Sequence, residues 1–332
     1  MKSARGQALG AGSAFVVLVV WTGFILVARA SATRTLAAWD IAWLRFLFSG
    51  VLALPLLAWR GNALRAALGR GSEGRAGAAL ARGAVLAFLA GLGYCMLAYS
   101  GFFFAPVGHA AVLLPGSLPL WTALAAALLL GERLTAAGAA GLGLIVAGDL
   151  LVGGASLLAA FDGAGTWRGD LLFLAASLCW ALYGVLCRRW QLGAVEATLA
   201  VAVGCLVCVV PPYALAALLG LVPSRLAAAP WGEILFQGLY QGGVSMLVAG
   251  LAYTQVVATY GPMRTTMITA MVPVLSALAA VPLLDEALSP AALGGLALVT
   301  AGLLLGTGAV PSPARGPRRR GGAAAAAPAE PR

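Results

Sequence analysis

The sequence contains very little charge. Asp, Glu, Lys and Arg together make up 10% of the 332 residues, whereas 61% are hydrophobic and the mean hydropathy is +0.95. A soluble globular domain carries roughly 25% charged residues. Because so few charges cannot cover a surface in contact with water, the composition excludes an ordinary soluble protein and predicts a membrane protein.

Residues and motifs that serve catalysis or metal binding are also scarce. The chain has a single histidine, His109, and it lacks the HExxH, GxSxG and Walker A patterns. Ser117 is a conceivable nucleophile, but a helix interrupted by Pro115 gives it no defined geometry with His109. The five cysteines lie in apolar segments, and none has the spacing of a zinc site. We therefore expect neither an enzyme nor a bound metal or cofactor.

Long apolar runs dominate the chain. About 20 apolar residues span a bilayer as a helix. Lipid cannot satisfy free backbone groups, which favours helices, and no strand pattern competes with them. We predict an all-α polytopic membrane protein with ten transmembrane helices, at residues 10–28, 36–58, 83–101, 105–130, 135–153, 169–188, 195–219, 232–257, 262–284 and 291–309.

One segment of the chain occurs twice. Residues 128–148 align without a gap with residues 282–302, and ten of the 21 positions are identical. The shared acid, Glu132 and Glu286, is informative because acids are scarce in this chain. An internal repeat in an apolar chain is typical of many transporters. The repeat divides the protein into a first five-helix unit at 1–153, a second at 154–310 and a disordered basic cytoplasmic tail at 311–332.

The basic residues predict the orientation in the bilayer. Most of the 21 Lys and Arg residues fall on the side of the two termini. The positive-inside rule therefore places both termini in the cytoplasm. Topology and anionic lipid explain the net charge of +10, and we expect no nucleic-acid partner. Because five is an odd number, the second unit enters the membrane from the opposite side, which gives an inverted pair suited to alternating access.

Two segments share the pattern of a known family. Residues 106–148 contain HAAVLLPGSLPLWTALAAALLLGERLT, and residues 261–306 contain a second version that ends in DEALS. Both resemble the EamA-type domain of the drug/metabolite transporter superfamily, so the chain resembles two tandem EamA-like units. The second unit has Asp285 where the first has Gly131. The resemblance implies a ten-helix carrier of small metabolites in the inner, or plasma, membrane, often an exporter.

Polar and aromatic side chains are the candidates for lining a substrate cavity. Arg45 lies deep in the second helix, where it suits a substrate carboxylate unless it reaches outward or is paired structurally. Gln237, Gln241 and Ser245 share one face of the eighth helix, and such amides face either a cavity or another helix. The remaining candidates could also serve packing or bond to their own helix: Tyr94, Trp180, Tyr183, Tyr240 and Thr269.

A second set of residues is suited to gating or proton coupling. His109 is the side-chain type that takes up protons near neutral pH, and Asp149 is an acid in the fifth helix. Both are otherwise ordinary residues near helix ends. Four more residues at helix ends or kinks are structural or gating candidates: Glu132, Glu286, Pro119 and Pro273.

These features predict a secondary transporter that exports a small organic metabolite, such as an amino acid, by alternating access. Its expected partners are the solute, the lipid bilayer and, as a candidate coupling ion, the proton. The alternative is a channel or a non-transporting membrane scaffold. A channel is the weaker alternative, because the sequence shows neither a ring of charge nor a carbonyl filter motif.

Overall fold

The computed structural model describes residues 4–70, 76–159, 165–260, 265 and 268–306. This part of the chain is helical throughout apart from its connections, and it contains no β-strand. Its helices, in chain order, are α1 (Ala4–Ser31), α2 (Ala38–Gly69), α3 (Gly77–Phe102), α4 (Val107–Leu130), α5 (Ala136–Ala159), α6 (Thr166–Arg189), α7 (Ala194–Leu218), α8 (Trp231–Tyr260), α9 (Met271–Leu284) and α10 (Pro290–Gly306).

The described helices are those of a multi-pass membrane protein. Helices α1 to α8 are each long and apolar enough to cross a bilayer. Helices α9 and α10 are shorter, with 14 and 17 residues, and they are equally apolar. The prediction of an all-helical membrane protein is therefore confirmed. The count of ten spans stays a prediction, and the predicted tail at 311–332 lies outside the described residues.

Three helices contain a segment of π-helix. These segments are Ala87–Gly93 in α3, Val112–Gly116 in α4 and Gly238–Val248 in α8. Pro115 lies inside the α4 segment, where it lacks the N–H that a regular turn requires. Such wide turns are rare and occur frequently at functional sites. They mark α3, α4 and α8 as helices whose backbone departs from regular α-helical geometry.

Pro119 and Pro273, two of the prolines predicted to lie at helix ends or kinks, occupy matching places in the two units. Pro119 lies in the first turn of Leu118–Leu130, the regular part of α4, and Pro273 lies in the first turn of α9. A first turn tolerates proline because its N–H groups have no partner inside the helix. Each proline therefore begins a regular helical segment and does not kink one.

Helices α4 and α9 end in the same way. Gly131 follows α4 with φ 68°, and Asp285 follows α9 with φ 55°, both in the left-handed region. The N–H groups of Glu132 and Glu286 then bond to the carbonyl six residues earlier, at 3.3 Å and 3.4 Å. Aspartate is one of the few residues besides glycine that adopts this conformation readily. The exchange of Gly131 for Asp285 between the two units therefore leaves the helix ending unchanged.

The duplicated segments pack directly on each other, as α5 against α10. A Cβ atom on Gly141 would lie 2.6 Å from the carbonyl oxygen of Gly302, and one on Gly148 would lie 2.8 Å from that of Gly295. Only glycine permits so close an approach of two backbones. The later glycine of α5 meets the earlier glycine of α10, so the two helices are antiparallel. Gly141 and Gly295 are corresponding positions of the repeat, as are Gly148 and Gly302.

Several of the other helix contacts come in matched pairs. Helix α3 packs on α6 as α8 packs on α1, and α4 packs on α6 as α9 packs on α1. Likewise α3 packs on α7 as α8 packs on α2, while α2 and α7 pack on each other. The two contacts of a pair are exchanged when each helix is replaced by its counterpart in the other unit, with α1 to α5 corresponding to α6 to α10. The surfaces of α1, α2, α3, α6 and α8 that meet in this arrangement carry the candidate functional site.

Candidate functional site

Arg45 is buried in α2 at the contact with α8. Its residue is only 6% exposed. The close contact depends on Gly242 of α8, where a Cβ atom would lie 2.7 Å from the carbonyl oxygen of Arg45. The guanidinium donates from Nη1 to Tyr99 Oη and to Ser245 Oγ, both at 3.4 Å, and it lies 5.6 Å from the centre of the Phe24 ring. No carboxylate of the described residues pairs with it.

A chain of hydrogen bonds links Arg45 to the end of α1. The Tyr99 hydroxyl donates to Gln241 Oε1 at 3.0 Å. Gln241 Nε2 donates to Gln237 Oε1 at 3.4 Å, and Gln237 Nε2 donates to Ser31 Oγ at 2.6 Å. Both amides are almost fully buried. The polar face predicted for α8 therefore exists, and its amides bond to α1 and α3 in this conformation.

Aromatic rings form one wall beside Arg45. The Phe24 ring lies 5.9 Å from Tyr99 and 6.4 Å from Tyr94, measured between ring centres. Tyr94 lies 4.8 Å from Trp180, which lies 5.4 Å from Tyr183. Phe24 and Tyr99 are buried, whereas Tyr94, Trp180 and Tyr183 are partly exposed. The wall therefore runs from the buried guanidinium toward the accessible surface.

Two more of the predicted cavity residues donate hydrogen bonds to helix backbone. Tyr240 stacks on Phe236 at 5.6 Å and donates from its hydroxyl to the carbonyl of Val20 at 3.3 Å. It therefore packs against the backbone of α1 near Val20 and Gly23. Thr269 donates to the carbonyl of Thr265 at 3.1 Å, the bond to its own backbone that was one of the two interpretations from sequence.

The two repeated glutamates have different environments. Glu286 forms an ion pair with Arg29, the side chains being 15% and 25% exposed, and its Oε2 accepts the N–H of Val107 at 2.7 Å. Arg29 also donates from Nη1 to the carbonyl of Phe102 at 2.6 Å. This cluster joins the ends of α1, α3 and α9 to the start of α4. We call it the Arg29–Glu286 clamp.

Glu132 lies at the opposite end of the bundle. It pairs with Arg188 at the end of α6, and the two side chains are 49% and 55% exposed. Solvent screening weakens such an exposed pair, which contributes about 0–1 kcal/mol. Glu132 therefore joins α4 loosely to α6, whereas Glu286 belongs to a tighter cluster.

The side chains gathered around Arg45 form what we call the Arg45 cluster: Phe24, Tyr94, Tyr99, Trp180, Tyr183, Gln237, Gln241 and Ser245. The two residues predicted for proton coupling lie outside this cluster. His109 Nδ1 lies 2.9 Å from Asp170 Oδ1, and Asp170 also accepts a hydrogen bond from Ser156. Asp149 is 9% exposed, and within the described part of the chain neither of its carboxylate oxygens has a hydrogen-bond partner. The contacts of Asp170 with His109 and Ser156 connect α4, α5 and α6. Within the described residues, no three His, Cys, Asp or Glu side chains group as a metal site would require.

Several residues of these clusters were not anticipated from the sequence. Phe24 and Tyr99 complete the surroundings of Arg45, but each looks like an ordinary apolar-helix residue. Asp170 had a detectable signal, because it lies near the predicted outer end of the sixth helix, as His109 does in the fourth. Arg29 and Glu286 likewise share the predicted outer side. Looking for oppositely charged residues on the same predicted side of the membrane would have suggested the contact of His109 with Asp170 and that of Arg29 with Glu286.

Comparison with known proteins matches both halves of the chain to the same family. The family model of the EamA-like transporter family matches residues 8–154 and again residues 167–307. A solved structure titled "Crystal structure of protein" matches with a TM-score of 0.55 and 22% sequence identity, over 92% of this chain and 96% of that chain. At that identity the likeness concerns the fold alone. No curated protein matches the sequence.

Proposed function

Because the chain belongs to the EamA-like transporter family, we propose that it is a secondary transporter that exports a small organic solute across the plasma membrane by alternating access. The observation that carries the proposal is Arg45, a buried guanidinium in a membrane helix without a carboxylate partner among the described residues. Uncompensated charge at such a place is unfavourable and marks a functional site in membrane proteins. A substrate anion would supply the missing partner.

The surroundings of Arg45 favour a solute with a carboxylate and an apolar body, such as an amino acid. A guanidinium binds a carboxylate through two parallel hydrogen bonds. Ser245 places a hydroxyl next to it, and the Tyr99 hydroxyl links it to the amide of Gln241. Tyr94 and Trp180 offer ring faces and edges to an apolar or cationic group.

The packing of the two units supports an inverted repeat as the basis of alternating access. Gly141 meets Gly302 and Gly148 meets Gly295, so each contact becomes the other when the units are exchanged. The antiparallel direction of α5 and α10 is the arrangement expected of units that cross the bilayer in opposite senses. Such a pair can exchange the conformations of its halves, which would open the Arg45 cluster to either side in turn.

Transport by the purified protein tests the proposal. In proteoliposomes loaded with a mixture of unlabelled amino acids, we expect uptake of a labelled member of the mixture to saturate and to be competed by excess unlabelled solute. Empty liposomes and liposomes with heat-denatured protein are the controls. Flux that rises linearly with concentration would indicate a channel, and no flux of any amino acid would contradict the proposed substrate class.

We propose that the Arg29–Glu286 clamp is the outer gate. It joins α1 and α9 to the start of α4 on the predicted outer side. Loss of a hydrogen bond to a charged group costs about 1.5–3 kcal/mol. Glu286→Gln should therefore shift the protein toward its outward-open form by roughly tenfold or more.

Access to a cysteine behind the gate measures this shift. With Ser245→Cys as the reporter, a membrane-impermeant thiol reagent applied from outside should react faster when Glu286→Gln is also present. Arg34→Ala is the matched control, because Arg34 is exposed on the same side and forms no ion pair with any described residue. Equal labelling rates in all three proteins would show that the clamp does not gate.

A further inference from the structure

Helix α5 carries one ionisable side chain, and that side chain is buried without a partner. Asp149 is 9% exposed, and neither carboxylate oxygen has a hydrogen bond to any described residue. Asp149 directly follows Gly148, which lies in the close contact of α5 with α10. The corresponding position of the second unit is Leu303, so the repeat itself does not call for an acid here.

The helices that pack against α5 offer Asp149 no counter-ion. Helix α10 has no ionisable side chain, and the only such group in α4 is His109. An ionised carboxylate in a membrane helix is unfavourable unless a cation or hydrogen-bond donors compensate it. The surroundings therefore fit the protonated, neutral carboxyl. Helix α6 contributes the remaining ionisable groups, none of which pairs with Asp149 in the described part of the chain: Arg168, Asp170, Cys179, Tyr183, Cys187, Arg188 and Arg189.

A polar cluster lies two helical turns from Asp149, at the predicted outer end of the bundle. Ser156 follows Asp149 by seven residues on the same face of α5 and donates to Asp170 of α6, which also pairs with His109. Seven residues further along α6 is Ser177, which is buried and whose hydroxyl has no partner among the described residues. Asp149 and Ser177 therefore lie at about the same depth on two neighbouring helices.

We propose that Asp149 is the proton-binding site of the transporter, reached from the outer side through His109 and Asp170. The proposal rests on the proposed transport function, because it names the coupling ion. The side chain of His109 is 15% exposed, so this end of the route meets the surface. The site is separate from the Arg45 cluster, because α5 contributes no residue to that cluster.

A proton suits this site better than a metal cation. Hard cations such as Ca²⁺ take about six to eight oxygen ligands. At about the depth of Asp149, the hydroxyls of Ser177 on α6 and of Ser117 on α4, eight residues along that helix from His109, add only two oxygens to the carboxylate. Proton binding needs only the carboxylate. Neutralising it would remove the only side-chain charge of α5 and would make movement of α5 against its neighbours easier.

Infrared difference spectroscopy of the full-length protein in lipid films tests proton binding, with the proton itself as the probe. Between alkaline and acidic buffer, we expect a protonated-carboxyl band that forms reversibly and is lost in Asp149→Asn. Asp285→Asn is the matched control, because Asp285 is an exposed acid at a helix end and asparagine adopts the same left-handed backbone. Asp149→Glu, which keeps the carboxyl, should retain a band at a shifted frequency.

Two results would overturn the proposal. One is the absence of any band that depends on residue 149 throughout the titration. The other is a band that disappears when Na⁺ is added at constant pH, because that would indicate a metal-ion site.

Flux measurements distinguish this proposal from the transport proposal. An imposed pH gradient should change amino-acid flux about tenfold in the wild-type protein and should have no effect in Asp149→Asn. Saturable flux that ignores the gradient in the wild-type protein would refute the proton site and leave transport intact. An intact infrared band without flux of any amino acid would refute the transport proposal alone.

Discussion

Alanine in place of Arg45 should reduce saturable substrate flux by about 100-fold or more, while the protein still inserts and elutes as a folded species. A charged hydrogen bond contributes roughly 1.5–3 kcal/mol, and a guanidinium makes two of them to a carboxylate. Each factor of ten in affinity corresponds to about 1.4 kcal/mol. Because Arg45 has no carboxylate partner among the described residues, its removal leaves no unpaired acid behind and should not destabilise the fold strongly.

Three further variants separate substrate binding from a structural effect. Arg45→Lys keeps the charge but loses the fork geometry, so we expect it to recover only part of the flux. Tyr99→Phe removes the hydroxyl that connects Arg45 to Gln241 and should lower flux about tenfold. Tyr240→Phe is the control, because that hydroxyl bonds to the backbone of α1 and lies outside the cluster. Normal flux in Arg45→Ala would show that Arg45 does not bind the substrate.

Most members of the Arg45 cluster could be predicted from the sequence, because a polar residue in an apolar membrane helix is unusual and indicates a specific role. Polar groups are rare in an apolar chain, so Arg45, Gln237, Gln241 and Ser245 are conspicuous in it. The structure brings these side chains together with Tyr94, Trp180 and Tyr183. Their role in binding a substrate remains a proposal. The helical spacing of four residues was a sufficient guide to one face of α8.

Partners on other helices were much harder to predict. Whether Tyr240 faces the Arg45 cluster or the backbone of α1 near Val20 depends on how α8 rotates through its π segment, in which Gly238 and Gly242 pack closely against α2. The pairing of His109 with Asp170 depends on the relative height of two helices. A single sequence contains the period of each helix but not its rotation or height relative to a neighbour. The fold class could therefore be predicted, whereas these contacts could not.

Valine in place of Gly141 should strongly destabilise the folded protein, because it forces apart the backbones of α5 and α10. A Cβ atom there would lie 2.6 Å from the carbonyl oxygen of Gly302 and 2.8 Å from the backbone nitrogen of Gly306. Backbone cannot rotate away as a side chain can, so the two helices must separate. Overpacking of this kind costs about 1–3 kcal/mol and occasionally more. Thermal unfolding of the purified protein in detergent should show a clearly lower midpoint or a loss of folded material.

Gly143 on the same helix provides the matched control. It is exposed, and a Cβ atom built on it meets nothing within 4 Å, so Gly143→Val should unfold at close to the wild-type temperature. The repeat adds a second requirement. Gly295 corresponds to Gly141, and a Cβ atom there would lie 3.0 Å from the carbonyl oxygen of Gly148 and 2.6 Å from the side chain of Val152. Because that side chain can move, Gly295→Val should destabilise in the same direction by a smaller amount. If Gly141→Val and Gly143→Val unfolded alike, the two units would not be joined by the backbone contact from which their inverted arrangement is argued.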